Sequence, residues 1–290
     1  MKKSAFGYLL LLPALAVILA LNIFPIGYSV FLSLNTTTLS GHQTFVGLKN
    51  FAEILKNPTF VNSIGLSFEY AAVATSLGTG IGLALALVCN AQYPGRGIVR
   101  NLLVIPISLP LVIVGLLWGF MYDYNFGFLN NFFEDIRVMT SSQKIFWLAP
   151  NTALFYVAVA QAWAFSAFTA LLILASLQNV DPAQYEAAEL DGAGAGSRFW
   201  HITLPHIRTI LDLTILLNIL TAIGVVDIVY VMTYGGPETA TTTMPMFAYQ
   251  QFFLALQFGP GAAAAIMMAL VASVAGTLYV ILSYRRRIIS

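Results

Sequence analysis

Apolar residues in this chain come in long continuous runs, without the alternation of a half-buried strand or the narrow stripe of a surface helix. Six runs stand out, at about 6–31, 64–88, 98–122, 152–177, 210–233 and 261–284. Each exceeds the roughly 20 residues a helix needs to cross a bilayer. The pattern predicts an all-α integral membrane protein with six transmembrane helices, forming a single transmembrane domain over 1–290. Met1-Lys2-Lys3 followed by apolar residues resembles the start of a secretory signal. The run continues to about Phe31, however, too long for a cleavable signal core, and is read as span one with kinks at Pro13 and Pro25. The connecting segments are about 34–63, 89–97, 123–151, 178–209 and 234–260. In the first of them Leu48, Phe51, Ile54 and Leu55 share one helical face before Pro58, which predicts a short amphipathic helix lying along the outer interface.

Composition agrees: 59% of residues are hydrophobic and 9% charged, against about a quarter charged in soluble domains. A net charge of +1 gives no footprint for nucleic acid. The distribution of charge is more telling. Nine basic residues (Lys2, Lys3, Arg96, Arg100, Arg198, Arg208, Arg285, Arg286, Arg287) fall on the side of the termini, the second loop and the fourth loop. Four (Lys49, Lys56, Arg137, Lys144) fall opposite, so the excess predicts that both termini are cytoplasmic. Tyr28, Tyr122, Tyr124, Trp147, Tyr234 and Tyr284 lie near span ends, where amphipathic rings anchor at headgroup level. Gly78/Gly82 and Gly115/Gly119, spaced by four, predict close helix packing. Cys89 is the one cysteine, so no internal disulfide can form. His201 and His206 are five apart and do not share a helical face; the expected metal set is none.

The fourth loop, 178–209, carries the most specific local signals. Asp181 suits an N-cap, Pro182 the first helical position, Gln184 a capping box and Gly192 a left-handed helix end. The helix between them has no apolar stripe wide enough for a core. Its small residues Ala183, Ala187 and Ala188, beside Glu186 and Glu189, suit insertion into a groove on another protein. Phe199, Trp200, Ile202 and Leu204 follow and are expected to dock the loop against the inner ends of the spans.

Glu186-Ala187-Ala188-x-x-Asp191-Gly192-Ala193, then Phe199, Ile202, Leu204 and Pro205, resembles the EAA motif of permease subunits in binding-protein-dependent ABC importers, carbohydrate-type branch. Phe45 to Phe51, and Asp227 with Tyr230 to Pro237, extend the likeness over most of the chain; Tyr234 precedes two glycines where the family often has three. The resemblance implies a half-transporter in a bacterial or archaeal cell (inner) membrane. Its partners would be a second permease subunit as a heterodimer, two cytoplasmic ABC ATPases and an extracytoplasmic sugar-binding protein, with membrane lipid around it and no nucleic acid. It would not be an enzyme. None of the five lysines fits a phosphate-binding loop, so ATP and Mg would be bound by the partner ATPase and this chain would hold no cofactor. The ATPase-coupling residues implied are Tyr185, Glu186, Ala187, Ala188, Asp191, Gly192, Ala193 and Pro205.

Sugar recognition needs aromatic faces for stacking and amides or carboxylates for hydroxyls. Trp118, Tyr122, Gln161, Trp163, Phe165, Asn218 and Asp227 supply these types on spans expected to line the pathway. Glu69 and Asp212 are read as solvated near span ends; for Asp227, a structural hydrogen bond and a solute contact both stay open. The alternative reading is a secondary, ion-coupled solute carrier. It would need a coupling-ion site and usually an internal repeat, and no repeat is visible.

Overall fold

The computed structural model describes residues 3–37 and 42–289, with side chains left out at 3–10, 141 and 284–289. Lys2 and Lys3, the Arg285 to Arg287 run and the Tyr284 ring therefore lie outside the described side chains. Helix α1 spans residues 3–33, followed by a two-stranded antiparallel ribbon of β1 (Asn35–Thr37) and β2 (Gln43–Phe45). Then come α2 (Lys49–Lys56), α3 (Pro58–Asn90), α4 (Arg96–Ser108) and α5 (Leu111–Met121). The chain continues through α6 (Phe128–Asp135), α7 (Ala153–Leu177), α8 (Pro182–Leu190) and α9 (Ala195–Gly224). It closes with α10 (Asp227–Thr233), α11 (Met244–Tyr249) and α12 (Phe258–Ile289).

Among the described residues five helices are long and apolar enough to cross a membrane, or six if the bent pair α4 and α5 counts as one span. The sequence reading of span three as one helix over 98–122 needs correcting, because α4 and α5 meet at 102°. Leu109 is extended ahead of Pro110, whose ring disfavours the helical conformation in its neighbour. Span five needs the same correction. Its helix ends at Gly224, Val225 is extended (ψ 134), and α10 starts afresh at Asp227. Pro13 interrupts nothing, whereas Pro25 and Pro205 each follow a widened turn. There the N–H of Phe24 or Leu204 reaches back five residues, to Leu19 or Phe199, which spares the carbonyl the proline ring would strike.

The core is the pair α3 and α7, flanked by α9. Gly78 and Gly82 bring α3 and α7 together: a Cβ on Gly82 would sit 2.6 Å from Thr169 Cγ2 and 2.8 Å from the Ser166 carbonyl. Gly115 does the same for α5 against α10, where a Cβ would lie 3.2 Å from Val231 Cβ. At the opposite end of α3, Arg100 donates to the Cys89 carbonyl at 2.8 and 3.1 Å, placing a cation where the helix dipole is negative. Among the described side chains of α1, those from Leu11 to Tyr28 are exposed, while Leu32 and Ser33 at its end are buried.

Two connecting segments turn out to be built structure. Pro58 opens α3 as well as closing α2, with Asn57 capping Thr59 at 2.9 Å. Asn50 of α2 is buried and donates to the carbonyls of Ser33 and Asn35, which ties the helix down. Of the apolar face read as lying along the outer interface, Ile54 is buried in the bundle while Leu48 and Leu55 are exposed. Beyond span five, Thr241 and Thr242 donate to the Gly236 and Gly235 carbonyls, and the Met244 N–H reaches Ser67 of α3 at 2.8 Å. Met244 to Phe247 are buried, so this stretch of the fifth connection is part of the core.

Candidate functional site

The 181–205 segment sits at the end of the bundle where α7 leaves and α9 begins. Its helix α8 forms as the local residues dictate. The Asp181 carboxylate accepts from the Ala183 N–H at 3.0 Å, and Pro182 occupies the first helical position. At the other end, the Gly192 N–H bonds the Glu189 carbonyl at 3.0 Å and the Ala193 N–H bonds the Ala188 carbonyl at 2.8 Å. With Gly192 at φ +78, this is a complete left-handed helix closure.

None of α8 is buried. Tyr185, Ala188 and Ala193 are half-covered, while Glu186, Ala187, Asp191, Gly192 and Pro205 are exposed. Leu190 is 90% exposed, an apolar side chain in water with nothing of this chain against it. Two contacts tie α8 to the start of α9: the Tyr185 hydroxyl meets Thr203 Oγ1 at 2.9 Å, and Arg198 pairs with Glu189 at 3.0 Å. Leu204 packs against the core at this end of the bundle as expected, Phe199 and Ile202 are half-covered, and Trp200 is exposed. The result is a short rigid helix held away from the bundle with its small and acidic face presented.

The span residues read as solute contacts fare differently. Gln161 is buried and accepts from the Tyr70 hydroxyl at 2.6 Å. Asn218 is buried and donates to Thr79 at 3.2 Å and Thr169 at 3.1 Å, joining α3, α7 and α9. Tyr122, also expected as an interfacial anchor, is buried with Trp147 among Trp118 and Tyr156. Both rings complete the core in place of gripping headgroups. Trp118 and Trp163 are half-buried and meet edge to face at 6.0 Å; Phe165 is half-buried on α7. Asp227 is exposed at the first turn of α10, where a carboxylate suits the helix N-terminus. Trp118, Tyr122 and Trp163 thus come together as one aromatic group, while Gln161 Oε1 and Asn218 Nδ2 are engaged by partners elsewhere in the bundle.

Asp212 departs from its solvated reading, whereas Glu69 is exposed. Glu69 lies three turns into α3 on an exposed face. Asp212 accepts from Ser283 at 2.7 Å and from Tyr279, fastening α9 to α12. The partners Tyr70, Thr79, Thr169 and Ser283 carried no local signal, being far away in sequence.

Comparison with known proteins follows this geometry closely. The family described as binding-protein-dependent transport system inner membrane component matches residues 78–288. The trehalose/maltose transport system permease protein MalF of Thermococcus litoralis is 35% identical over 268 residues, covering 92% of this chain and 89% of that protein. The sulfoquinovosyl glycerol transport system permease protein SmoG of Agrobacterium fabrum is 33% identical, covering 90% and 84% respectively. A bacterial ABC transporter involved in the import of the acidic polysaccharide alginate shares the fold, with a TM-score of 0.83 at 22% identity over 98% of this chain and 96% of that one.

Proposed function

This chain belongs to the binding-protein-dependent transport system inner membrane component family, and on that premise we propose that it forms half of the translocation pathway of an ATP-driven importer for a sugar or sugar-like solute. It is a multi-pass membrane transport subunit and not itself an enzyme. Its companions in this reading are a second permease, two cytoplasmic ATPases that bind ATP and Mg, and an external binding protein that delivers the solute. Relatives named for trehalose/maltose and sulfoquinovosyl glycerol support a carbohydrate, as does the fold shared with an alginate importer. The family match does not favour an ion-coupled carrier. The excess of basic residues beside α8 favours a bacterial or archaeal inner membrane orientation with α8 and both termini in the cytoplasm.

The exposed helix α8 carries the mechanism. Ala187, Ala188 and Gly192 let it seat deeply in a cleft of the ATPase, Glu186 and Asp191 meet a basic rim, and Leu190 supplies an apolar anchor. ATP-driven closure of the ATPases displaces α8. The Tyr185–Thr203 and Glu189–Arg198 contacts pass that displacement to the root of α9, which runs through the bundle. Pro205 and the widened turn before it give α9 a pliable root. Affinity purification of the chain from its native membrane in mild detergent, with mass spectrometry of what stays bound, tests the assignment. A P-loop ATPase and a second six-span subunit are the expected companions; recovery of the chain alone at full yield overturns it.

A further inference from the structure

At the end of the bundle remote from α8, between α5, α10 and the 122–148 segment, lies an open bowl of about 570 Å3. That volume falls in the range of small-molecule sites, about 300–1,000 Å3. Its walls are the rings of Tyr124, Phe126 and Phe146, all substantially exposed, and its rim carries Asp123 and Asn125. Gly115 and Gly119 add no side chain to the lining, which Leu116, Val231 and Met232 complete. Tyr124 and Phe146 meet edge to face at 6.2 Å, a contact that takes one face of one ring and fixes the two rings relative to each other. Aromatic faces flanked by a carboxylate and an amide suit a ring with one apolar face and a rim of hydroxyls.

An interfacial belt would also expose aromatic rings, but a belt needs no fixed geometry between them. Here the walls are locked. Asn130, 1% exposed, donates to the carbonyls of Tyr124 at 3.3 Å and Ile145 at 3.0 Å. Its own carbonyl accepts from the Ile145 N–H and the Trp147 indole. One buried amide thus sets the Tyr124 wall against the Phe146 wall. The rim is set as well: Asp123 Oδ1 accepts the N–H groups of Asn125 and Phe126 at 2.8 and 3.0 Å, and Lys144 donates to the Asn125 carbonyl at 3.1 Å. A pre-set site of this kind binds at reduced ordering cost. Gln161 Oε1 and Asn218 Nδ2 are engaged by partners within the bundle, whereas Asp123 and Asn125 line the bowl.

We propose that this bowl is a carbohydrate-binding station at the outer mouth of the pathway, where a sugar ring stacks on Tyr124, Phe126 or Phe146 and its hydroxyls meet Asp123 and Asn125. The proposal rests on the carbohydrate-importer reading above. Asn130 is then a positioning residue that holds the two walls apart.

The test uses the assembled importer in nanodiscs, without binding protein, and saturation-transfer NMR with maltose and trehalose as probes. Uptake by the unmodified assembly with its binding protein is measured in parallel. Tyr124→Leu and Phe146→Leu keep an apolar side chain at the membrane surface but remove the stacking face. The expected result is transfer to the sugar ring protons in the unmodified assembly, with the half-saturating concentration raised roughly five- to tenfold by each leucine. Tyr124→Trp restores it. Leucine variants that bind as the unmodified assembly does, while sugar uptake persists, overturn the station and leave the importer reading standing. An unmodified assembly that takes up no sugar overturns both.

Discussion

Replacing Gly192 tests whether the closure of α8 transmits force. The residue sits at φ +78 with nothing within 4 Å of where a Cβ would go, so a substitution meets no steric obstacle and the cost is backbone strain alone. An L-residue held in the left-handed region costs about 1–2 kcal/mol, with a β-branched residue worst and Asn least. If α8 must keep its closure to seat in the ATPase, that strain is lost from docking, and 1–2 kcal/mol weakens association by roughly 5- to 30-fold. We expect Gly192→Val to lower ATPase association by that factor and Gly192→Asn to lower it far less. Gly192→Asp tolerates the backbone better than valine but adds a carboxylate beside Glu189 and Asp191, and is expected to uncouple transport. Insertion should survive in all three, because the site lies outside the spans. The assay is solute-stimulated ATP hydrolysis by reconstituted assemblies, with membrane abundance as control. Equal activity in the valine and asparagine variants would refute the reasoning, as would uptake unchanged by valine.

Four further substitutions separate packing from function. Leu190→Ala removes an apolar group that touches nothing within the chain, so stability should stay within about 0.5 kcal/mol while ATPase association falls; pull-down of the ATPase reads the loss, and full recovery would count against the docking role. Asn218→Leu breaks a three-helix junction and should cost about 1 kcal/mol in a detergent denaturation series, with solute preference unchanged; altered preference would return Asn218 to the pathway. Gly82→Leu forces side chain into the Ser166 carbonyl and should cost about 1–3 kcal/mol or more, whereas Gly80→Ala, which meets nothing within 4 Å, should be neutral. Equal stability for those two variants would remove the packing argument.

Local rules read the 181–205 segment well because its structure depends on neighbours in sequence. A cap, a proline and a glycine lie within a dozen residues of one another, and α7 likewise matches its apolar run to within a residue. The breaks at Leu109 and Val225 were less visible. Hydropathy runs straight through both, although Pro110 marked the first. The solute candidates were chosen by residue type, and type does not reveal that Gln161 meets a tyrosine 91 positions away. Burial also inverted the reading of Tyr122 and Trp147: the same amphipathic ring suits an interface or a core with a polar partner, and here Asn130 supplies that partner to Trp147.

The placement of those breaks determines which part of the bundle can move. The α3–α7 pair is fused by glycine contacts too close to slide without clashing. By contrast, α5 and α10 join α4 and α9 through single extended peptides at Leu109–Pro110 and Val225, and they pack on each other at Gly115. Movement delivered to α9 should therefore swing α5 and α10 as one body against α7, with the extended peptides as hinges. A disulfide between Gly115→Cys and Val231→Cys spans a Cβ separation near the 3.5–4.5 Å such bonds adopt, since a Cβ on Gly115 would lie 3.2 Å from that of Val231. Cys89 is buried and leaves the engineered pair to react alone. Uptake should survive oxidation of this pair. Transport abolished by oxidation and restored by reductant would mean that α5 and α10 separate during the cycle, and the single-body hinge would be wrong.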